Sequence, residues 1–390
     1  MERKKVFCSL IVVLGLLPLL SCGGPDVGVT SDEILIGTWA PLTGPASELS
    51  MIAHAMDAYF QYVNTEEGGV HGRKLKLLIK DDAYDPSKTP AVVEELVDKD
   101  RVFAILGGNG TANCLAVKDY LTRKLIPWVN PGSGSRVWTS PMNAYVFSTF
   151  PSYVTEARVL AKYAAENLPA KKYGLLYQDD SFGREGQEGV RLGLKNTDKE
   201  IAVAQAYKVG DGDLTAVAQK FKDEGVDLIF VWTIVEGAQA LEKALDGIEG
   251  YAPQVVGSQI LSDPVMFKLA GKSWEGAIVA SSVPEPSSSE PGVVKARDII
   301  QKYGNGMEFG TYAMWGISRA EVLVEGLRRA GPDLTRLKLL QSLESVKDWK
   351  DNVLGTPITF TAEDHQGLNA VLIDKAENGS LVRLSDWMQP

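Results

Sequence analysis

The sequence predicts an α/β protein built from two doubly wound units, each a parallel sheet with helices on both faces. From Ile34 onward, apolar runs of strand length alternate with segments of helical period, and this order is typical of a parallel sheet. The stretch at 131–151 separates two such series. The chain has 390 residues, 45% of them hydrophobic, so each unit is large enough to bury its own core.

The first series opens with a buried strand at 34–40. A helix is predicted next because apolar residues recur at i, i+3, i+4, i+7, i+8 and i+11, namely Ile52, Ala55, Met56, Tyr59, Phe60 and Val63. Strands are expected at 75–80, 102–106 and 126–129, with helices at 86–98 and up to about 124.

The second series repeats this order. It predicts strands near 173–178, 201–206, 227–232 and 254–257, and helices near 156–167, 184–195, 214–223 and 237–246. A loop rich in Pro and Ser at 284–291 follows, then helical segments that include 309–330. Short strands are expected after a Pro/Thr stretch near 356–361.

The first residues are typical of an export signal with a lipid attachment site. Basic residues at 3–5 precede an almost continuous apolar run, Val6–Leu20, that is too short for a good membrane span. The run ends Leu19-Leu20-Ser21-Cys22, which matches the bacterial lipobox. We therefore expect residues 1–21 to be removed, Cys22 to anchor the exported protein to a membrane through lipid alone, and 22–33 to form a tether. The alternative is an ordinary signal with an incidental cysteine.

Charge and cysteine content exclude several classes of function. Fifty acidic residues against 40 basic ones give a net charge of −10, which would repel a nucleic acid backbone. Cys8 leaves with the signal and Cys22 is the lipid site, so Cys114 alone remains and no disulfide is expected within the mature chain. Cys114 follows a glycine-rich loop on a predicted helix and is expected to be buried and inert.

The sequence gives no signal for catalysis, a metal or a cofactor. The three histidines, His54, His71 and His365, are scattered, with no cysteine or acid at ligand spacing. Neither a G-x-S-x-G elbow nor a Walker A motif is present in the 390 residues. We therefore predict a protein that is not an enzyme.

Two small polar loops are the candidate binding elements. Gly107–Asn113 joins a predicted strand to a helix, and its glycines and the helix N-terminus, with the Thr111 hydroxyl, favour an anion such as a carboxylate. The equally good alternative is a turn that Thr111 merely caps. Asn130–Ser135 lies at the end of the next strand, where ligands of open α/β sheets bind.

These segments, with several others, resemble the leucine/isoleucine/valine-binding family of periplasmic receptors. The similarity runs from about Ile34 to Trp387, and it is carried by the order and spacing of seven segments: Gly37–Pro45, Gly68–Leu75, Asp81–Pro86, Gly107–Thr111, Ile126–Pro131, Asp179–Gly183 and Phe309–Ala313.

The resemblance implies a type I periplasmic binding protein, with two Rossmann-like lobes joined by three crossing strands and a ligand enclosed by hinge closure. The lobes are expected at 34–148 plus 282–355 and at 149–281 plus 356–390. The resemblance also implies that the protein captures a small molecule for an ABC importer and presents it to permease subunits in the membrane.

The resemblance implies which residues form the binding site, by their positions in the family motifs. Thr111 matches the hydroxyl that binds the ligand carboxylate, with Asn109 and Gly110 beside it. In the second loop Gly132 matches a backbone contact, and a family threonine falls at Gly134, so that Ser133 or Ser135 would have to replace it. Phe182 matches an aromatic over the ligand, while two family tyrosines fall at Leu49 and Ile234. Tyr153 is expected to face either the cleft or the lobe surface.

One departure from the family pattern concerns the charge of the ligand. The family acid that pairs with the ligand ammonium falls at Gln259, which carries no charge. We therefore expect a carboxylate or amide ligand with an apolar body, such as a hydrophobic amino acid or an aromatic or aliphatic acid. The alternative is that Glu236, Asp263 or Asp179 replaces the missing acid.

Other functions remain possible for such a chain. A sensor or regulator of the same fold would signal ligand closure to a protein partner instead of a permease. A secreted hydrolase on two such lobes would need a nucleophile or a metal motif that the sequence does not signal.

Overall fold

The computed structural model describes residues 26–390 as two sheets with helices packed against them. The predicted signal at 1–21 and the predicted lipid site Cys22 lie outside the described residues. The observed fold is the predicted type I periplasmic binding protein fold, with two sheets that are largely parallel.

The first sheet has five parallel strands in the order β2-β1-β3-β4-β5. Its strands are β1 (Glu33–Ala40), β2 (Lys74–Asp81), β3 (Ala104–Leu106), β4 (Trp128–Val129) and β5 (Val146–Phe147). The sequence pattern predicts the first four but misses β5, because a strand of two residues has no periodicity to detect.

The second sheet has seven strands in the order β12-β11-β10-β9-β8-β6-β7. Five are parallel: β6 (Tyr173–Gln178), β7 (Ile201–Tyr207), β8 (Leu228–Trp232), β9 (Gln254–Gly257) and β10 (Ile278–Ser281). A hairpin of β11 (Leu372–Glu377) and β12 (Ser380–Arg383) adds antiparallel to β10. The hairpin accounts for the short strands expected near the end of the chain.

Helices fill the connections between the parallel strands. Within residues 26–390 they are α1 (Ser50–Glu66), α2 (Thr89–Glu94), α3 (Thr111–Arg123), α4 (Tyr153–Asn167), α5 (Ser181–Leu194), α6 (Thr215–Asp223), α7 (Val235–Asp246), α8 (Val265–Leu269), α9 (Pro291–Tyr303), α10 (Thr311–Ala330) and α11 (Arg336–Glu344). None of them combines the length and apolar character needed to cross a membrane.

Each sheet and the helices packed against it form one half of the molecule. The chain passes three times between the two halves: from β5 to α4, from β10 to α9, and from α11 to β11. Two of these passages are hydrogen-bonded to each other, since Ser148 N donates to His365 O (3.0 Å) and Gly367 N donates to Ser148 O (2.8 Å). The lobe boundaries at 34–148 plus 282–355 and 149–281 plus 356–390 stay a prediction.

Residues 26–33, assigned by sequence to a flexible tether, are packed against the first half in the structure. Val29 is buried and forms a bridge with Ile34. The Asp26 carboxylate accepts a hydrogen bond from Arg336 N (2.9 Å), at the start of α11. Apolar and capping contacts hold this part of the segment in place, and the tether at 22–33 stays a prediction.

Helix α10 holds the first half together even though it comes late in the chain. It packs along α1, and the two helices lie close together at Gly316, where an added Cβ would lie 2.3 Å from Ile52 O and 2.6 Å from Ala55 Cβ. The absent side chain therefore sets the spacing of the two helices.

We expect Gly316→Leu to lower the free energy of unfolding by about 1–3 kcal/mol, because the side chain must force α10 away from α1. Urea denaturation monitored by circular dichroism measures the change. Gly212→Leu is the control, since nothing lies within 4 Å of an added Cβ there. Wild-type stability in Gly316→Leu would show that the two helices are not closely packed.

Candidate functional site

The candidate site is a narrow cavity of about 20 Å³ where the two halves face each other. Loops that follow β1 to β5 line one side, and loops that follow β6, β8 and β9 line the other, together with the buried face of α10. Ligands of open α/β sheets bind at these carboxyl ends of strands. Its lining residues are Leu49, Ile52, Tyr84, Asn109, Gly110, Thr111, Gly132, Phe150, Tyr153, Phe182, Ile234, Ile260, Trp315 and Arg319.

Eight residues singled out by sequence come together in this lining: Leu49, Asn109, Gly110, Thr111, Gly132, Tyr153, Phe182 and Ile234. Three others, Ser133, Gly134 and Gln259, lie outside it. That these residues bind a ligand stays a prediction.

The two polar loops are built against each other. Gly110 N donates to Gly132 O (3.2 Å), and Asn109 pairs with Gly132 in a parallel bridge. A Cβ at Gly132 would lie 1.8 Å from Gly108 O, so the loops can meet only if this residue is glycine. Gly110 has φ 91°, which turns the chain into α3 and places Thr111 in the first turn of that helix.

Hydroxyl groups from both loops meet beside the cavity. Thr111 Oγ1 and Ser133 Oγ lie 2.8 Å apart and share a hydrogen bond. Tyr153 lies beside them, with its backbone N donating to Gly134 O (2.7 Å). Burial raises the pKa of Tyr153, although hydrogen bonds with Thr111 and Ser133 offset part of the effect. Ser133 and Gly134 thus position other residues instead of lining the cavity.

Aromatic rings form one wall. The Tyr153 ring lies 4.7 Å from Phe182 and 6.2 Å from Phe150, and Phe150 lies 5.1 Å from Trp315, all measured between ring centroids. Tyr153 is 3% exposed, so it faces the cavity and not the lobe surface. The wall can hold an apolar ligand body.

Gln259 does not line the cavity and contacts Glu156 instead. Its backbone N and its side-chain Nε2 donate to the two carboxylate oxygens of Glu156, each over 2.6 Å. Glu156 is fully buried on α4, and burial raises its pKa from 4.5 to about 8 against the effect of these two hydrogen bonds. The backbone N–H and the side-chain NH₂ of Gln259 are therefore occupied by an acid of the chain itself.

The three acids considered as replacements lie outside the cavity lining. Asp263 accepts hydrogen bonds from Tyr312 N (2.8 Å) and Val265 N (2.9 Å). Glu236 accepts from the Tyr207 hydroxyl, and Asp179 pairs with the exposed Arg184 at 3.0 Å. No acid of residues 26–390 lines the cavity.

The charged residue in the lining is Arg319 of α10, which the sequence reasoning missed. It is 4% exposed, and its Nη1 donates to Asn109 Oδ1 over 3.3 Å. Burial lowers its pKa to about 10, so it stays protonated at neutral pH. The signal that would have found it is an arginine within the mainly apolar helical segment 311–324.

Larger depressions of about 620 to 700 Å³ lie elsewhere on the described surface, and they are more open to solvent. None is lined by the loops that follow β3 and β4. Within residues 26–390, no three His, Cys, Asp or Glu side chains are grouped to hold a metal ion. Cys114 is fully buried, as expected, and burial raises the pKa of its thiol.

Fold and cavity together define the class of two-lobed α/β binding proteins whose site lies between the lobes. The family model described as periplasmic binding protein matches residues 33–380. The chain belongs to this family, and membership implies an exported protein.

Relatives and solved structures agree with this membership. The Leu/Ile/Val-binding protein homolog 3 of Brucella melitensis is 22% identical over 90% of this chain and 94% of its own. A fatty acid ABC transporter substrate-binding protein from Thermomonospora curvata superposes with TM-score 0.85 at 24% identity, covering 94% and 95% of the two chains. A branched chain amino acid ABC transporter from Thermus thermophilus with bound valine gives TM-score 0.82 at 23% identity, covering 93% and 98%.

The burial of Glu156 makes stability depend on pH. Because the pKa of Glu156 is raised in the folded chain, the native chain keeps a proton that the unfolded chain releases. The contribution of this group to the free energy of unfolding is therefore complete below pH 4.5 and is lost as pH rises through about 8. We expect Glu156→Gln to flatten the fall in unfolding free energy between pH 5 and 8, by up to about 1.4 kcal/mol per pH unit.

Urea denaturation at several pH values measures this slope. Glu166→Gln, an exposed change on the same helix, is the control and should keep the wild-type profile. The buried acids Glu242 and Glu321 have raised pKa values too, so part of the slope should remain in Glu156→Gln. An unchanged slope would show that Glu156 is ionised in the folded protein.

Proposed function

We propose that this chain is the lipid-anchored solute receptor of an ABC importer, and that it captures a small ligand with a carboxylate and an apolar body by closing its two lobes. Cys22 carries the anchor, and the loaded, closed form is presented to permease subunits in the membrane. The predicted lobes, 34–148 plus 282–355 and 149–281 plus 356–390, move as the two rigid bodies.

The observation that carries the proposal is the convergence of strand-end loops from both sheets on one cavity. Hydroxyl and amide groups at Asn109 and Thr111 lie on the first side, and apolar groups at Phe182, Ile234 and Ile260 lie on the second. A ligand bound there would contact both halves at once, so binding would favour the closed arrangement.

Direct contacts across the cleft support closure. Ser135 Oγ donates to Glu185 Oε1 over 2.6 Å, and Arg136 donates two hydrogen bonds of 2.9 Å to Glu188. Ser135 ends the second polar loop and Arg136 follows it, whereas both acids lie on α5 of the other half. The cavity has about 20 Å³ in this arrangement, enough for little more than one water, so ligand entry and ligand binding both require the halves to lie further apart than they do here.

Relatives support the ligand class only broadly. The names quoted above include Leu/Ile/Val-binding, a fatty acid transporter component and a complex with valine. These ligands share a carboxylate and an aliphatic body. The apolar lining of this cavity and the hydroxyl of Thr111 suit the same two features.

We expect a thermal shift panel to identify a ligand among hydrophobic amino acids, aliphatic and aromatic carboxylates, and their amides. A ligand at 100 times its Kd should add about 2.7 kcal/mol to the free energy of unfolding. Mass spectrometry should recover the ligand unchanged. A panel with no response, or a converted ligand, would contradict the receptor function.

The same panel ligand should bind Thr111→Ala more weakly by about 1–3 kcal/mol, because a hydroxyl contact to its carboxylate is lost. Thr122→Ala, at the far end of α3 and bonded to Asn143, is the matched control and should bind like the wild type. Unchanged affinity in Thr111→Ala would remove this residue from the site.

For the anchor, we expect Cys22→Ser to abolish labelling by a radioactive fatty acid in cells and to leave the protein unprocessed or released. Cys114→Ala should keep the label, because this buried cysteine is not the lipid site. Lipid label retained in Cys22→Ser would contradict the lipobox assignment.

A further inference from the structure

Arg319 is a buried cation without a counter-ion. It is 4% exposed on α10, and its single hydrogen bond among residues 26–390 goes to the neutral amide oxygen of Asn109 (3.3 Å). It forms no ion pair with any described residue. A buried charge without an opposite charge is costly, so such residues are normally paired.

The surroundings of Arg319 do not supply that charge. On one side it borders the apolar cavity, and on the other a smaller space lined by neutral groups, among them Asn130, Thr149, Ser282 and Ser318. These groups and any water among them can solvate a guanidinium, but they do not neutralise it.

Acids on or next to α4 and α5, the helices that carry Tyr153 and Phe182, accept hydrogen bonds from other donors. Glu156 accepts from Gln259, Glu185 accepts from Ser135 and Arg136, and Asp180 caps α5 while accepting from Gln178. Among residues 26–390, the cavity lining thus includes one cation, Arg319 of α10, and no Asp or Glu. A zwitterionic amino acid would bring an ammonium group into a cavity with no carboxylate to receive it.

We propose that Arg319 is the counter-ion of the ligand carboxylate, and that the ligand is therefore an apolar monocarboxylic acid without an α-ammonium group. This inference rests on the proposed receptor function. Thr111 and Asn109 line the same cavity and supply the neutral hydrogen bonds, while Phe150, Phe182 and Trp315 enclose the apolar body. Binding an anion there pairs the guanidinium and transfers apolar surface from water at the same time.

Three probes with one carbon skeleton test the ligand class: 4-methylpentanoate, its amide, and leucine, which is the same acid with an α-ammonium group. Isothermal titration calorimetry of the full mature chain should show 4-methylpentanoate binding at least about 10-fold more tightly than either of the others. If the panel finds a ligand with a larger body, the acid, amide and α-amino acid of that skeleton replace this set. Tighter binding of the α-amino acid would overturn the proposal.

Substitutions of Arg319 test the residue. Arg319→Met should weaken acid binding by about 10- to 100-fold and leave the amide little changed, so that the preference for acid over amide disappears. Arg319→Lys should keep part of that preference. The ligand-free Arg319→Met protein should be at least as stable as the wild type, because an unpaired buried charge has been removed.

Arg336→Met is the matched control. Arg336 is a half-buried arginine that donates to Phe103 O (2.8 Å) and Val102 O (2.9 Å), away from the cavity. Its loss should lower stability and leave the acid preference intact. Loss of stability in Arg319→Met with an unchanged acid preference would show that Arg319 is structural and overturn the proposal. If that variant does not fold, Arg319→Lys decides, by the same ratio of acid affinity to amide affinity.

These outcomes separate the two proposals. A panel with no ligand at all would refute the receptor function itself. Ligand binding that ignores Arg319, or that prefers an α-amino acid, would leave the receptor function standing and refute the assignment of Arg319.

Discussion

A parallel sheet constrains where its loops can lie, and the rest of this structure follows from that constraint. Strands β1 to β10 all pair with one another in parallel within their two sheets, so the loops that follow them emerge at one edge of each sheet. The chain passes between the halves three times, and the two loop-bearing edges face each other across a cavity of about 20 Å³. The cavity is therefore a product of chain topology before any particular side chain is considered.

Side chains then decide what this cavity can hold. On the first side, glycines allow two loops to approach closely enough that Gly110 bonds to Gly132 and the hydroxyls of Thr111 and Ser133 meet. On the second side the lining is apolar. The distribution of charge is asymmetric, because burial raises the pKa of Glu156 to about 8 and keeps it protonated at neutral pH, while Arg319, with a pKa of about 10, stays charged. An acidic protein with a net charge of −10 thus offers a local positive centre to its ligand.

Sequence alone predicted the fold class and most strands, because long apolar runs and helical periods are local signals. It also selected eight residues of the cavity lining, since motifs at strand ends place them on one edge. The sequence did not single out three residues of the lining, Phe150, Trp315 and Arg319. Phe150 lies in a crossing segment, and the other two lie on α10, more than 150 residues after the first polar loop. Gln259 lies in a suitable loop, but its side chain is directed by Glu156, and that pairing of distant residues has no local signal.

A crystal structure of the protein with a bound monocarboxylic acid tests the central claim most directly. We expect the carboxylate oxygens to lie about 3 Å from the Arg319 guanidinium and the Thr111 hydroxyl, with the apolar body against Phe182 and no Asp or Glu in contact with the ligand. A ligand whose ammonium group is paired with an Asp or Glu, or whose carboxylate lies away from Arg319, would contradict the claim.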